Sequence, residues 1–257
     1  MVIRKSLFAA LLAFSTFATA SESGELAFRA QKSLENGKFA RSYSQLERAL
    51  LASRKEADLQ AEARILLSMA HIRTISLDLD LADSLVSIVR NEVLDDQSAA
   101  LYNQTKLSIL NAREKYADAG KICASQNKDV LKKAADGLQA SFHSECAIAQ
   151  AALHNMEGAD ESLKMVGKRT DKKSGIYAWT EARISDLNHN PNTDSLYQVA
   201  EQRAIQGNRP HVTATILYYR GKLIEAKDAK RAADFFLRSK NAFELMGLPN
   251  NAKRSTK

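Results

Sequence analysis

Apolar side chains recur three and four positions apart along most of the chain, which is the spacing of one face of an α-helix. No stretch between residues 24 and 247 alternates apolar and polar side chains as a β-strand would. A small residue recurs near the middle of successive helical segments, at steps of 40, 37, 40 and 74 residues. These residues are Ser42, Ala82, Ala119, Ala159 and Ala233. Such a period predicts stacked helical hairpins, because each hairpin needs a neighbour to bury its apolar face.

The sequence therefore predicts an all-α fold of about six hairpins, separated by turn signals such as Asn36-Gly37 and Gly207-Asn208. We expect the repeat domain to cover residues 21–248. The polar and basic segment 249–257 is expected to be a flexible tail. The hairpins are predicted at residues 24–54, 57–93, 97–126, 138–168, 172–207 and 211–247.

The first and last hairpins carry a family pattern of apolar, small, turn and packing residues. In the first hairpin these are Leu26, Ala30, Leu34, Gly37, Phe39, Ser42, Leu46 and Ala49, and in the last they are Leu217, Gly221, Ile224, Ala233 and Leu237. This pattern resembles the tetratricopeptide repeat (TPR), although the period here exceeds its length of about 34 residues. Parts of the pattern return in the second hairpin at Leu66, Ala70 and Ala82, and in the fourth at Ala147, Ala159 and Leu163.

The resemblance implies a right-handed superhelix, or α-solenoid, in which the first helix of each hairpin lines a concave groove. It implies an elongated molecule and no catalysis. Carried over position by position, the groove-lining residues are Arg64, His71, Thr74, Gln104, Asn111, Trp179, Arg183, Tyr218 and Lys222. Trp179 beside an arginine is typical of an interface anchor, but a tryptophan here fits equally well as a core side chain.

The first twenty residues have the three parts of a secretory signal peptide. Arg4 and Lys5 form a basic start, residues 7–17 form a short apolar core, and Ala18-Thr19-Ala20 has the small residues of a cleavage site. The core is shorter than the roughly 20 residues that span a bilayer, and no later stretch is long and apolar enough to do so. We therefore expect a cleaved signal over residues 1–20 and a periplasmic or secreted, bacterial-type protein.

The chain has a net charge of +7 at pH 7, and its lysines and arginines alternate with acidic residues at helical spacing. This pattern favours a solvated outer face over a nucleic-acid interface. An exported protein with this charge could instead contact an anionic polymer of the cell envelope.

The two cysteines, Cys123 and Cys146, are disulfide candidates because an exported chain folds in an oxidising compartment. On one long helix from residue 129 onward they would lie too far apart. If residues 127–137 form an inserted connector, the two cysteines approach across neighbouring helices. They also occupy packing positions, so two buried free thiols remain an alternative.

The sequence contains neither a metal-binding motif nor a cofactor-binding motif: its five histidines lack ligand spacing, and no glycine-rich phosphate loop occurs. We therefore expect a non-enzymatic scaffold or adaptor that binds a peptide or protein partner in the bacterial envelope. One alternative is a peptidoglycan-processing enzyme or accessory, of the helical type found in lytic transglycosylases. Another is the sensor module of a separate signalling protein. Partner and oligomeric state do not follow from the sequence.

Overall fold

A computed structural model describes residues 21–256, and within that range the chain is all-helical and contains no β-strand. This confirms the predicted all-α class. The signal peptide expected over residues 1–20 lies outside the described residues. The α-helices are α1 (Glu22–Glu35), α2 (Phe39–Lys55), α3 (Leu59–Ile75), α4 (Leu79–Ser87), α5 (Asp96–Ala112), α6 (Tyr116–Ser125), α7 (Lys128–Lys133), α8 (Asp136–Ala152), α9 (Met156–Arg169), α10 (Gly175–Leu187), α11 (Thr193–Gln206), α12 (Pro210–Ile224), α13 (Ala229–Leu245) and α14 (Pro249–Arg254).

Short polar side chains and prolines set the starts of many helices. An N-cap side chain accepts a hydrogen bond from a free backbone N–H in the first turn of seven helices, as Asp58 does from Ala61. Pro210 and Pro249 occupy the first turn of α12 and α14, where a missing N–H costs nothing. The seven capping residues are Ser21, Asp58, Asp95, Asn127, Asn155, Ser174 and Asp228.

Twelve helices form six pairs whose bounds agree with the predicted hairpins to within a few residues. The pairs are α1–α2, α3–α4, α5–α6, α8–α9, α10–α11 and α12–α13. The turn inside each of the first five pairs has the same backbone conformation, with one residue at positive φ just after the first helix. These residues are Gly37, Leu77, Glu114, His154 and His189. Hydrogen bonds from this residue and the next back to the helix end form a Schellman motif each time.

Four of the five recurring small residues are completely or almost completely buried where paired helices meet. Ser42 also donates a hydrogen bond of 2.8 Å to the carbonyl oxygen of Ala30 across the first pair. The fifth assignment, Ala233, was wrong by one residue. Ala233 is exposed, and Ala232 occupies the close contact instead. Ala232 occupies the same position in its helix as the other four small residues do in theirs. In each case the backbone N–H of the small residue donates to the carbonyl oxygen of the N-cap residue, which in α13 is Asp228.

The first helices of successive pairs lie side by side and form an inner row. Helix α3 contacts α5, α5 contacts α8, and α8 contacts α10. Helix α12 joins this row through α11 and through the aromatic side chains of Trp179 and Tyr219. Residues of α3, α5, α8, α10 and α12 line a common space.

The segment between α6 and α8 is an inserted connector containing the short helix α7, and α8 begins only at Asp136. The connector allows α6 to pack against α8. Cys123 and Cys146 thereby face each other with Cα atoms 5.8 Å apart, and they form a disulfide. Of the two arrangements left open by the sequence, the structure has the one with the connector.

The last pair of helices and α14 return to the first two pairs. The rings of Phe39 and His211 lie 5.4 Å apart, and the side-chain amide of Asn251 donates a 3.0 Å hydrogen bond to the carbonyl oxygen of Ile75. The predicted flexible tail was therefore wrong over residues 249–254. This segment forms α14, and its Asn251 and Ala252 are buried against the array. These contacts join the last units of the array to the first.

None of the helices in the described range is both long enough and apolar enough to cross a membrane.

Candidate functional site

The inner row of helices surrounds a central cavity made of two adjoining chambers. The larger chamber has a volume of about 260 Å³ and the smaller chamber a volume of about 230 Å³. Both chambers are lined by residues of α3, α5, α8, α10 and α12, so five successive hairpins contribute to them. The larger chamber also touches α14. The residues common to both are His71, Ile75, Ser108, Glu145, Trp179, His211 and Thr215.

Glu145 of α8 is half-buried and lines both chambers. Ser108 donates a 2.7 Å hydrogen bond to its Oε1 atom, and Asn111 donates a 2.7 Å hydrogen bond to its Oε2 atom. Burial raises the pKa of Glu145, and these two hydrogen bonds oppose the effect only in part. No lysine, arginine or histidine of the described chain forms an ion pair with this carboxylate.

Two histidines, His71 of α3 and His211 of α12, face the cavity from opposite ends of the inner row. Burial lowers the pKa of His71 to about 4. Burial, with the nearby charge of Arg209 and the proximity of His71, lowers the pKa of His211 to about 3. Both rings are therefore neutral at pH 7. The Nε2 atom of His71 is buried and has no hydrogen-bond partner among the described residues.

Aromatic rings and one arginine form the wall of the cavity at α10 and α12. The ring centroids of Trp179 and Tyr219 are 5.7 Å apart, and the guanidinium of Arg183 lies 3.9 Å from the centroid of Tyr219. Arg183 forms an ion pair with Asp186 and donates a 3.1 Å hydrogen bond to the hydroxyl of Tyr197. The charge of this arginine is thus matched inside the wall, and its planar group supports the aromatic surface.

Six of the nine residues expected in the groove line the cavity. His71, Thr74, Asn111, Trp179 and Arg183 line the larger chamber, while Gln104, together with His71 and Trp179, lines the smaller one.

The other three expected groove residues lie elsewhere. Arg64 is bound to Asp95 and to the hydroxyl of Ser98, which is 3.0 Å away. Tyr218 lies beneath the guanidinium of Arg254, at 4.2 Å from its ring centroid, and Lys222 is exposed. The register carried over from the repeat family is therefore displaced in α12, where the neighbouring tyrosine Tyr219 lines the cavity.

The cavity residues that the sequence analysis missed include Glu145, His211, Asn251 and Arg254. A signal for the first was present, because Ser141, Ser144, Glu145 and Ile148 recur at the spacing of one helix face. Asn251 and Arg254 lack such a signal, since they reach the cavity only through the return of α14.

Within residues 21–256, no group of three or more histidine, cysteine, aspartate and glutamate side chains is arranged to hold a metal ion. No protein-family model matches the sequence, and no curated protein matches it significantly.

Proposed function

We propose that this protein is an exported, non-enzymatic binding module whose central cavity holds part of a peptide or protein partner in the bacterial cell envelope. We also propose that its six hairpins form a TPR-like right-handed superhelix, which would place the first helix of every hairpin on the concave side. The Schellman turns at corresponding positions of five hairpins and the row of first helices support this arrangement.

One observation carries the binding proposal: five successive hairpins direct polar and aromatic side chains into the same cavity. A cavity whose only role is structural would be lined by apolar groups, because buried polar atoms without partners destabilise the fold. Here Nε2 of His71 and the Oδ1 atoms of Asn111 and Asn251 are buried and have no hydrogen-bond partner within residues 21–256. A bound partner would supply hydrogen bonds to these atoms.

The size of the cavity limits what part of a partner can enter. The two chambers together have the volume of a pocket for a small molecule, which is about 300–1,000 Å³. We therefore expect the cavity to hold a chain end or one or two side chains rather than a long extended segment.

The proposal can be tested by capturing partners from envelope extracts with the wild-type protein and with a cavity-filling variant, Ser141→Phe. Ser141 lines the smaller chamber, so a phenyl ring there should block it and abolish capture. The matched control is Leu237→Arg, because Leu237 is 55% exposed on α13, outside the cavity. Capture that survives Ser141→Phe but is lost in Leu237→Arg would move the binding site to the outer surface.

A further inference from the structure

The smaller chamber has one acidic side chain, Glu145, whose two carboxylate oxygens both accept hydrogen bonds, as expected of the ionised form. No lysine or arginine of the described residues lines this chamber. Its two histidines, His71 and His211, are neutral at pH 7. The remaining polar lining consists of hydroxyls and one amide.

The hydrogen-bond donors of Glu145 are also neutral: the hydroxyl of Ser108 and the amide of Asn111. These donors solvate the carboxylate but do not balance its charge. A carboxylate that is partly withdrawn from water and has no counter-charge is destabilised, and an opposite charge within hydrogen-bond distance relieves that cost. Arg183, a buried cation in the wall of the larger chamber, is paired with Asp186.

The acceptors near Glu145 match an ammonium group. An ammonium has three N–H donors and no acceptor. The carboxylate offers oxygens for this group. His71 lines the same chamber, and its buried Nε2 atom has no hydrogen-bond partner among the described residues. A neutral histidine can present one ring nitrogen as an acceptor.

The rest of the smaller chamber is apolar. Ile75, Ile176, Trp179 and Val212 line it. A dry cavity of about 150 Å³ accommodates benzene. A volume of about 230 Å³ therefore has room for an aromatic or branched aliphatic group with a short chain that carries the amine.

We propose that the smaller chamber binds a protonated amine joined to an apolar group, with Glu145 as its counter-ion. Two sources have this chemistry: a small organic amine, and the N-terminus of a peptide whose first side chain is apolar. The inference rests on the proposed binding function and names the chemical group that the cavity recognises.

The charge requirement can be tested by calorimetry on the wild-type protein with three probes of similar shape. Phenethylamine is cationic, 2-phenylethanol is neutral and 3-phenylpropionate is anionic. We expect phenethylamine to bind at least roughly tenfold more tightly than the alcohol, since hydrogen bonds to charged groups are the stronger ones, and the anion not to bind. Equal binding of amine and alcohol, or preference for the anion, would overturn the proposal.

The role of Glu145 can be tested with Glu145→Gln, which removes the charge and keeps the shape of the side chain. We expect this variant to lose the preference for phenethylamine over the alcohol. The matched control is Glu181→Gln, because Glu181 is a partly buried glutamate of α10 that lines neither chamber. The probe series on the wild-type protein remains decisive if Glu145→Gln does not fold.

A peptide with a free or a blocked N-terminus can show whether the chamber binds a small organic amine or a peptide N-terminus. A short peptide beginning with phenylalanine is compared with its N-acetylated form, alongside phenethylamine. Preference for the free peptide over the acetylated one favours a peptide N-terminus, and binding of phenethylamine alone favours a small amine. If envelope partners are captured through the cavity but no amine binds, the inference fails while the proposed function stands; if neither occurs, both fail.

Discussion

The disulfide between Cys123 and Cys146 gives a quantitative prediction because of where it lies. Helix α6 buries a single side chain, Ala119, whereas α8 buries ten of its residues. The disulfide therefore adds a covalent link between this lightly buried helix and α8. The two cysteines are separated by 23 residues, and loop-closure entropy for a loop of that length corresponds to about 3 kcal/mol of stabilisation.

Reduction should lower the melting temperature by roughly 6–12 °C, since 1 kcal/mol shifts Tm by about 2–4 °C in a chain of this size. Differential scanning calorimetry with and without reductant measures this shift. The Cys123→Ala, Cys146→Ala double variant should melt near the reduced protein and should not respond to reductant. Alanine avoids burying a hydroxyl at Cys146, which is 3% exposed. Two titratable thiols in denatured, unreduced protein, or an unchanged Tm on reduction, would refute the reasoning.

Three further changes can be checked by denaturant unfolding. Ala57→Gly should stabilise the fold by about 1 kcal/mol, because Ala57 has φ 53° and a side chain is strained in that conformation. The matched control Ala233→Gly, at an exposed position of a regular helix, should destabilise the fold by about 0.5–1 kcal/mol. Gly221→Ala should destabilise the fold by about 1–3 kcal/mol, because the new methyl group would lie 2.7 Å from the phenyl ring of Phe236. The higher helix propensity of alanine offsets part of this loss. Lowering the pH from 7 to 5 should reduce the free energy of unfolding by about 2 kcal/mol for each of His71 and His211. Their pKa values are lower in the folded protein than in the unfolded chain, so the unfolded chain binds more protons below pH 6.5. A free energy of unfolding that does not change over this range would contradict the prediction.

The hairpins were predictable because each is encoded locally. Helical spacing of apolar residues and turn signals such as Asn36-Gly37 placed the bounds to within a few residues. Several turns lacked the usual glycine, and Leu77 and Glu114 adopt positive φ there. Their conformation follows from the packing of the two helices that they join, so the sequence offers little signal for it.

The cavity was less predictable because its register and its closure depend on distant packing. Helix α12 has two consecutive tyrosines, and Tyr219 rather than the predicted Tyr218 lines the cavity. Its ring stacks with that of Tyr197, at 6.3 Å between centroids, from a helix earlier in the chain. Asn251 reaches α3 across 176 residues, and no periodicity in a single sequence reports a contact of that range.

The return of α14 to α3 also has a consequence for how the chain folds. In linear repeat proteins each unit contacts only its neighbours, so folding spreads along the array from any point and the terminal units open first. Here the hydrogen bond from Asn251 to Ile75 and the ring contact between Phe39 and His211 link the first units to the last. These contacts have a large sequence separation and form only after the intervening units are in place, which adds a slow, late step to folding. Once these contacts have formed, each terminal unit packs against the opposite end of the array as well as against its neighbour in sequence. Local unfolding of one end must therefore also break its contacts with the other end.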